Sequence, residues 1–213
     1  GRRRSLGFGY FLGAIGATFA FMGGIHRIFP LILVGAAMIG GASAAGYQAR
    51  FAAVDLSDSS HRARDLSMVV WASTVGSVLG PNLMDPAGNL ARSIGLPKLV
   101  GPYIVAIVML TLAATVVTIF LRPDPFLLAR QERGEVYVRE KRAFRKAFTV
   151  IRNTPKAWLA LHAIVIGHIT MVTIMVMTPV HMAHVDVSLR LIGLVISVHV
   201  LGMYALSPLV GRV

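Results

Sequence analysis

Six stretches of about 20 residues carry almost no charge, and the short segments between them hold nearly all the Lys, Arg, Asp and Glu. They cover residues 6–24, 29–49, 66–84, 99–121, 158–180 and 191–213. A helix of about 20 residues rises about 30 Å, the thickness of the bilayer hydrocarbon core. A water-soluble core has no reason to repeat that length. Only 14% of the chain is charged, against about 25% in ordinary soluble domains. The pattern predicts an all-α membrane protein with about six transmembrane helices. Gly and Ala dominate the second stretch between Gly35 and Gly46. Small residues let helix backbones approach closely, which predicts a central, tightly packed helix there; a flexible Gly/Ala loop is the alternative.

The basic residues orient the chain. With the amino terminus inside, the inner segments hold 17 Lys and Arg, and the outer loops keep only Arg27, Arg92, Lys98 and Arg190. Basic loops are retained in the cytoplasm, so a multi-pass protein of the cell (inner) membrane with a cytoplasmic amino terminus is expected. The net charge of +12 is then a topology signal, and no nucleic-acid partner is expected. The longest connection, 122–157, lies inside. Phe144, Phe148 and Ile151 recur in it at helical spacing, flanked by Lys141, Arg142, Arg145, Lys146 and Arg152. That spacing predicts a basic amphipathic helix with membrane lipids as partners; a solvated charged linker is the alternative.

Gly1 is followed by Arg2, Arg3, Arg4 and an apolar run, a start that superficially resembles a signal peptide. The run is too long for one, and further spans follow. Without an initiator Met, the chain is expected to be a piece of a longer protein. The sequence contains no cysteine, which excludes a disulfide framework. It also lacks a phosphate-binding glycine loop, a metal-ligand cluster and a meaningfully spaced nucleophile–base pair. Neither an enzyme nor a cofactor is expected.

The opening Gly1-Arg2-Arg3-Arg4-Ser5-Leu6 resembles the end of G-x-L-a-D-R-x-G-R-R-x-x-L, the signature of the loop between helices 2 and 3 in the major facilitator superfamily. Gly211-Arg212-Val213 resembles the start of that signature's second copy, between helices 8 and 9. Gly76-x-x-x-Gly80-Pro81 resembles the helix 5 signature of the family's exporters, although Met84 and Asp85 stand where the final Gly pair belongs. The long basic segment also falls where the family places its loop between helices 6 and 7. The resemblance covers the whole chain. It implies helices 3–8 of a twelve-helix, two-bundle transporter. Residues 1–121 would then end the first bundle, 122–157 would form the linker, and 158–213 would begin the second bundle.

What the resemblance implies residue by residue is a gate and a cavity. An acidic residue at the inner end of helix 4 contacts the signature loop in this family, which points to Asp55, with Arg2 or Arg3 as its partner. A solvated loop aspartate is the alternative. Gly76 and Gly80 make a smooth face for close packing, and Pro81 bends the helix; ordinary packing without transport explains them equally. No Asp or Glu lies inside any span, so a proton-handling role would fall to histidine. His168 lies near the middle of its span, which matches cavity-lining helix 7, together with Thr170 and Thr173. A midplane imidazole can accept and donate, or simply bond a neighbouring backbone. His162 is six residues away, about 120° around the helix, so the two cannot face one cavity directly. The function expected is secondary active transport of a small molecule by alternating access, with proton-coupled efflux as its form. A permease subunit of an ATP-driven importer and a non-transporting scaffold or sensor are the rival readings.

Overall fold

A computed structural model of the chain describes residues 1–58, 60–134 and 143–211. These residues form helices and contain no strand. Three long helices open the chain: α1 (Arg2–His26), α2 (Phe29–Val54) and α3 (Arg62–Asn82). After them come α4 (Met84–Ser93), a 3₁₀ turn at Lys98–Val100, α5 (Gly101–Phe120) and the short α6 (Pro125–Glu132). The remainder is α7 (Ala143–Asn153), α8 (Pro155–His184), α9 (Leu189–Tyr204) and α10 (Ser207–Val210). Five segments are long and apolar enough to cross a membrane, and the apolar stretch of α3, bent by 44° from α4, would bring the number to six. The six expected spans are therefore all present as helices.

Two boundaries differ from expectation. The third span stops at Asn82, and the chain turns by 44° into α4 instead of entering a loop. Pro81 lacks a backbone donor and lies within the last turn of α3, and the Leu83 amide is shared between the carbonyls of Leu79 and Gly80. The last span breaks after Tyr204 and resumes as the single turn α10. The linker, besides the expected helix at α7, holds α6 as well. Lys141, Arg142, Arg212 and Val213 lie outside the described residues.

The described residues fall into two compact units, α1–α6 with α9 and α10, and α7 with α8. Glycine builds the first. Arg27 ends α1 in the left-handed region (φ 58°) while the Ile28 amide reaches back to the Gly23 carbonyl at 2.9 Å, and Pro30 starts α2. The chain thus reverses, and α1 lies against α2 along Gly9, Gly13, Gly16 and Gly23. A Cβ on Gly16 would lie 2.6 Å from Met38 Cβ and 2.7 Å from the Gly35 carbonyl oxygen. α5 and the 3₁₀ turn before it cover another side of α1, where Gly7 meets Thr118 and Gly24 meets Val100. The small-residue stretch of α2 packs on one side only, with Gly35 and Ala42 its buried residues.

In the second unit, α7 carries Phe144 stacked on Phe148 (6.5 Å), and Phe148 meets Trp158 of α8 edge-on at 6.0 Å. None of the α8 residues is buried.

Candidate functional site

The end of the first unit where α1 begins concentrates charge and polar bonding. Four N–H groups at a helix start have no partner within the helix. Here the Asp124 carboxylate takes two of them, from Arg2 at 3.1 Å and Arg3 at 2.9 Å. Asp124 is also the N-cap of α6, accepting from the Leu127 amide at 3.4 Å, with Pro125 behind it in the first turn. One carboxylate therefore starts two helices and answers the positive end of both dipoles. Gly1 has a direct steric reason: a Cβ there would lie 2.2 Å from Asp124 Oδ2.

Arg2 is the partner of Asp55. Its Nε donates to Oδ2 at 2.8 Å and its Nη2 to Oδ1 at 3.3 Å, a side-on fork, while Nη1 donates to Gln48 Oε1 at 2.9 Å. The guanidinium also lies 5.9 Å from the Phe51 ring centroid and 5.5 Å from that of Phe126. Both members of the pair are mostly shielded, so the fork is less screened than a surface ion pair. Arg3 goes elsewhere, donating from Nε to the Thr118 carbonyl at the end of α5. The start of α1 is thus tied to the ends of α2 and α5 and to α6.

A second feature is the seam between α3 and α9. Gly193 lets α9 approach until its missing Cβ would lie 2.8 Å from the Pro81 carbonyl oxygen. Beside it, the buried Ser197 hydroxyl accepts from Asn82 Nδ2 at 2.7 Å and faces the carbonyls of Val78 (3.0 Å) and Gly193 (2.8 Å). Toward the basic end, Ser207 donates to the Ser67 carbonyl at 3.2 Å, and Gly211 packs where a Cβ would lie 2.3 Å from Ser67 Oγ. Arg50 of α2 adds a link there, its guanidinium 5.0 Å from the Tyr47 ring and 5.9 Å from that of Tyr204 on α9.

The glycines of the helix 5 motif do not make the close contact expected of them. A Cβ on Gly76 or Gly80 would meet nothing within 4 Å among the described residues. Both line an apolar groove of about 460 Å³ with Leu79 of α3, Leu83 just after it, and Pro102 and Val105 of α5. The motif face is turned toward α5, and the tight approach at Pro81 is supplied by Gly193 on the other helix.

The histidine candidates lie in the second unit. His162 Nδ1 is 2.8 Å from the Trp158 carbonyl, and its ring stands edge-on to Trp158 at 4.4 Å, so backbone and aromatic partners hold it. Thr170 and Thr173 donate to the carbonyls of Ile166 and Ile169, one helical turn back. His168 is exposed on α8, without a hydrogen-bond partner among the described residues. None of these four side chains is brought against another site residue within its unit. Among the described residues no group of His, Asp and Glu could hold a metal ion.

Sequence reasoning missed Asp124, Gln48, Ser197, Asn82 and Gly193. Asp124 stands in Arg122-Pro123-Asp124-Pro125, a helix-cap pattern readable in sequence. Gln48, Ser197 and Asn82 had no such signal, because a polar residue within a span announces only that it needs some partner, and Gly193 stands in no motif.

Helical hairpins of bilayer length, closed by glycine and pinned at one end by a forked ion pair, define a multi-pass α-helical membrane protein with a polar cluster at its basic end. The family model for the Major Facilitator Superfamily matches residues 1–213, and the chain belongs to that family. It is similar to two proteins of Bacillus subtilis (strain 168). The uncharacterized MFS-type transporter YdeG is 36% identical over 211 residues, covering 99% of this chain and 49% of that protein. The uncharacterized MFS-type transporter YddS is 34% identical over 216 residues, with the same coverage. The chain spans about half the length of these curated relatives. No solved structure matches it.

Proposed function

We propose that this chain supplies helices 3–8 of a bacterial secondary transporter that moves a small molecule by alternating access, exchanging it for protons in the export direction. The observation that carries the reading is the Arg2–Asp55 fork, which ties the family's signature turn to the end of the next helix. A carrier must close one side while opening the other, and a state-specific ion pair is a device for that. The fork, the Asp124 cap and the Ser67–Gly211 contact all lie at one end of the first unit, the end we assign to the cytoplasm from its basic residues. His168 is the proton candidate. It is the ionisable group nearest the middle of α8, the counterpart of a cavity-lining helix.

The test uses the intact native protein in proteoliposomes, with pH-gradient-driven accumulation of lipophilic cationic dyes as the readout. Wild type should accumulate dye only when the gradient is imposed. Asp55→Asn should lower accumulation about tenfold while membrane insertion is unchanged. His168→Gln should abolish gradient-driven accumulation yet leave dye exchange intact, because hydrogen bonding survives and titration does not. Dye movement indifferent to the gradient would overturn proton coupling. Normal transport by Asp55→Asn would remove the gate.

A further inference from the structure

α8 carries seven His and Thr side chains, and at 3.6 residues per turn five of them lie within about 100° of its circumference. His162, Thr173 and His184 stand eleven residues apart, close to three whole turns, so they form one line along the helix. Thr170 and His181, also eleven apart, form a second line about 60° round from the first. α8 continues past Pro179 to His184 as one helix, and all five side chains are exposed. Ile166 and Met177 stand between them, so the stripe alternates polar groups with apolar ones.

The hydrogen bonds of the stripe fix what it can offer. Thr170 and Thr173 donate to the carbonyls of Ile166 (3.0 Å) and Ile169 (2.8 Å), so each hydroxyl has spent its one proton and keeps its lone pairs. His162 Nδ1 lies 2.8 Å from the Trp158 carbonyl and His184 Nδ1 lies 2.9 Å from the Val180 carbonyl. A carbonyl only accepts, so Nδ1 holds the proton in both rings, and each neutral imidazole turns Nε2 outward as an acceptor. Four of the five groups are therefore acceptors; His181, the fifth, can accept or donate. No Asp or Glu lies on α8, and its one Lys, Lys156, stands in the first turn ahead of the stripe.

We propose that this stripe faces the substrate and selects lipophilic amines, which bring N–H donors on an apolar body. The proposal rests on the transport reading and names the substrate class for it. The N–H of a cationic amine makes a charge-assisted bond to threonine Oγ1 or histidine Nε2. A carboxylate or phosphate would set lone pairs against lone pairs. A sugar brings as many acceptors as donors, and four of these five groups answer only the donors. A quaternary ammonium has charge but no N–H, and gains nothing from them. His168 stands about 160° from Thr170, so proton handling and substrate contact fall on different faces of α8 and answer to different variants.

The experiment uses the intact native protein and two dyes with the same permanent positive charge. Rhodamine 6G carries N–H donors; tetramethylrhodamine ethyl ester has none. Binding to protein in phosphatidylcholine nanodiscs is read by fluorescence anisotropy, and pH-gradient-driven uptake is read in proteoliposomes. Wild type should bind rhodamine 6G about tenfold more tightly, the worth of one or two hydrogen bonds. Thr170→Val with Thr173→Val should bring the two dyes within about twofold of each other by weakening rhodamine 6G alone. Thr178→Val is the control and should keep the full preference. Its hydroxyl donates to the Ile174 carbonyl at 2.8 Å in the same way, but about 140° round the helix from Thr173. Equal binding of the two dyes by wild type, a preference that survives in the Val pair, or one lost in the control overturns the proposal. Preferential binding without any uptake keeps the surface and removes the transport reading. Uptake of both dyes with equal affinity keeps transport and removes the surface. Thr170→Ser with Thr173→Ser retains both acceptors and should retain the preference, so its loss there overturns the proposal as well. A Val pair that melts below the Thr178→Val control, or fails to accumulate, would put another helix on the stripe in the ligand's place and overturn it.

Discussion

α1 and α8 are both apolar helices longer than the bilayer needs, yet they sit in this chain in opposite ways. α1 has nine buried residues, and five of them are Gly. α8 has none buried, and its single Gly167 faces open space. The difference follows from side-chain size. Gly9, Gly13, Gly16 and Gly23 cut a groove that α2 fills, and close backbone approach is what binds helices where lipid removes the hydrophobic drive. α8 offers Ile, Val and Met to its surroundings, and its threonines satisfy themselves on their own backbone. Packing also decides which polar groups find partners. Arg2 and Arg3 are engaged because α1 is surrounded; His168 is not, because α7 meets α8 only near Trp158 and none of the α8 residues is buried.

The largest effect should come from filling the glycine groove. Gly16→Leu forces a side chain into Met38 and the Gly35 backbone, and overpacking of this kind costs about 3 kcal/mol. The variant should melt well below wild type or fail to accumulate in the membrane. Gly167→Leu should stay within about 0.5 kcal/mol, since it adds a side chain where there is room. Thermal unfolding of the intact protein in detergent reads both. A Gly167 variant as damaged as the Gly16 one would show that α8 is covered in the native protein, and would erase the contrast.

Next in size is the fork at the start of α1. A double-mutant cycle on Arg2→Gln and Asp55→Asn should give a coupling of about 1–3 kcal/mol in unfolding free energy, because each substitution leaves the other group without its partner. The same cycle with Arg3→Gln should be close to additive, as Arg3 bonds the Thr118 carbonyl instead. Coupling with Arg3 in place of Arg2 would mean that the signature turn is registered one residue away from where it lies here.

This pair also shows how far the sequence could be read. Hydropathy blocks of bilayer length gave the six helices, because length against membrane thickness is a one-dimensional property. The Gly-Arg-Arg turn pointed to Asp55 through family resemblance, and the choice between Arg2 and Arg3 needed three dimensions. The direction of a helix face was not legible. Gly76 and Gly80 have the spacing of a packing motif, and only the turn of α3 toward α5 shows that they line a groove. Gly193 had no motif at all, yet it makes the tight contact at Pro81. α4 was hidden for another reason: Asp85, Asn89 and Arg92 depress its hydropathy, so a helix folded back on α5 passed for a loop.

A smaller effect separates buried hydroxyls from self-satisfied ones. Ser197→Ala removes a buried acceptor from Asn82 and should cost about 1 kcal/mol. Thr173→Val removes only an exposed bond to the helix's own backbone and should be close to neutral. Equal losses in the two unfolding curves would mean that Thr173 has a partner beyond its unit.

The smallest effect tests whether partnering in the first unit extends to the end away from the basic cluster. There the Asp85 carboxylate accepts from the Lys98 ammonium at 2.5 Å, outside the spans, where α4 folds back on α5. That hydrogen bond, more than the added charge of Lys98, the Asn89 amide or the Arg190 guanidinium, holds the carboxyl below its ordinary value of 3.8. A carboxylate whose folded pKa is lowered stabilises the fold at pH values above its unfolded pKa, and that contribution disappears as pH falls through the folded pKa. The melting temperatures of wild type and Asp85→Asn should therefore differ by a constant, small amount between pH 8 and pH 6. Below about pH 4 they should converge, because protonation of Asp85 removes what the substitution already lacks. Salt should shrink the gap at neutral pH, since the pair is partly exposed to solvent. Lys98→Met should produce the same curve as Asp85→Asn if one bond joins the two residues. A gap that widens on acidification would reverse the sign of the effect, and would mean that the Asp85–Lys98 bond does not hold α4 in place.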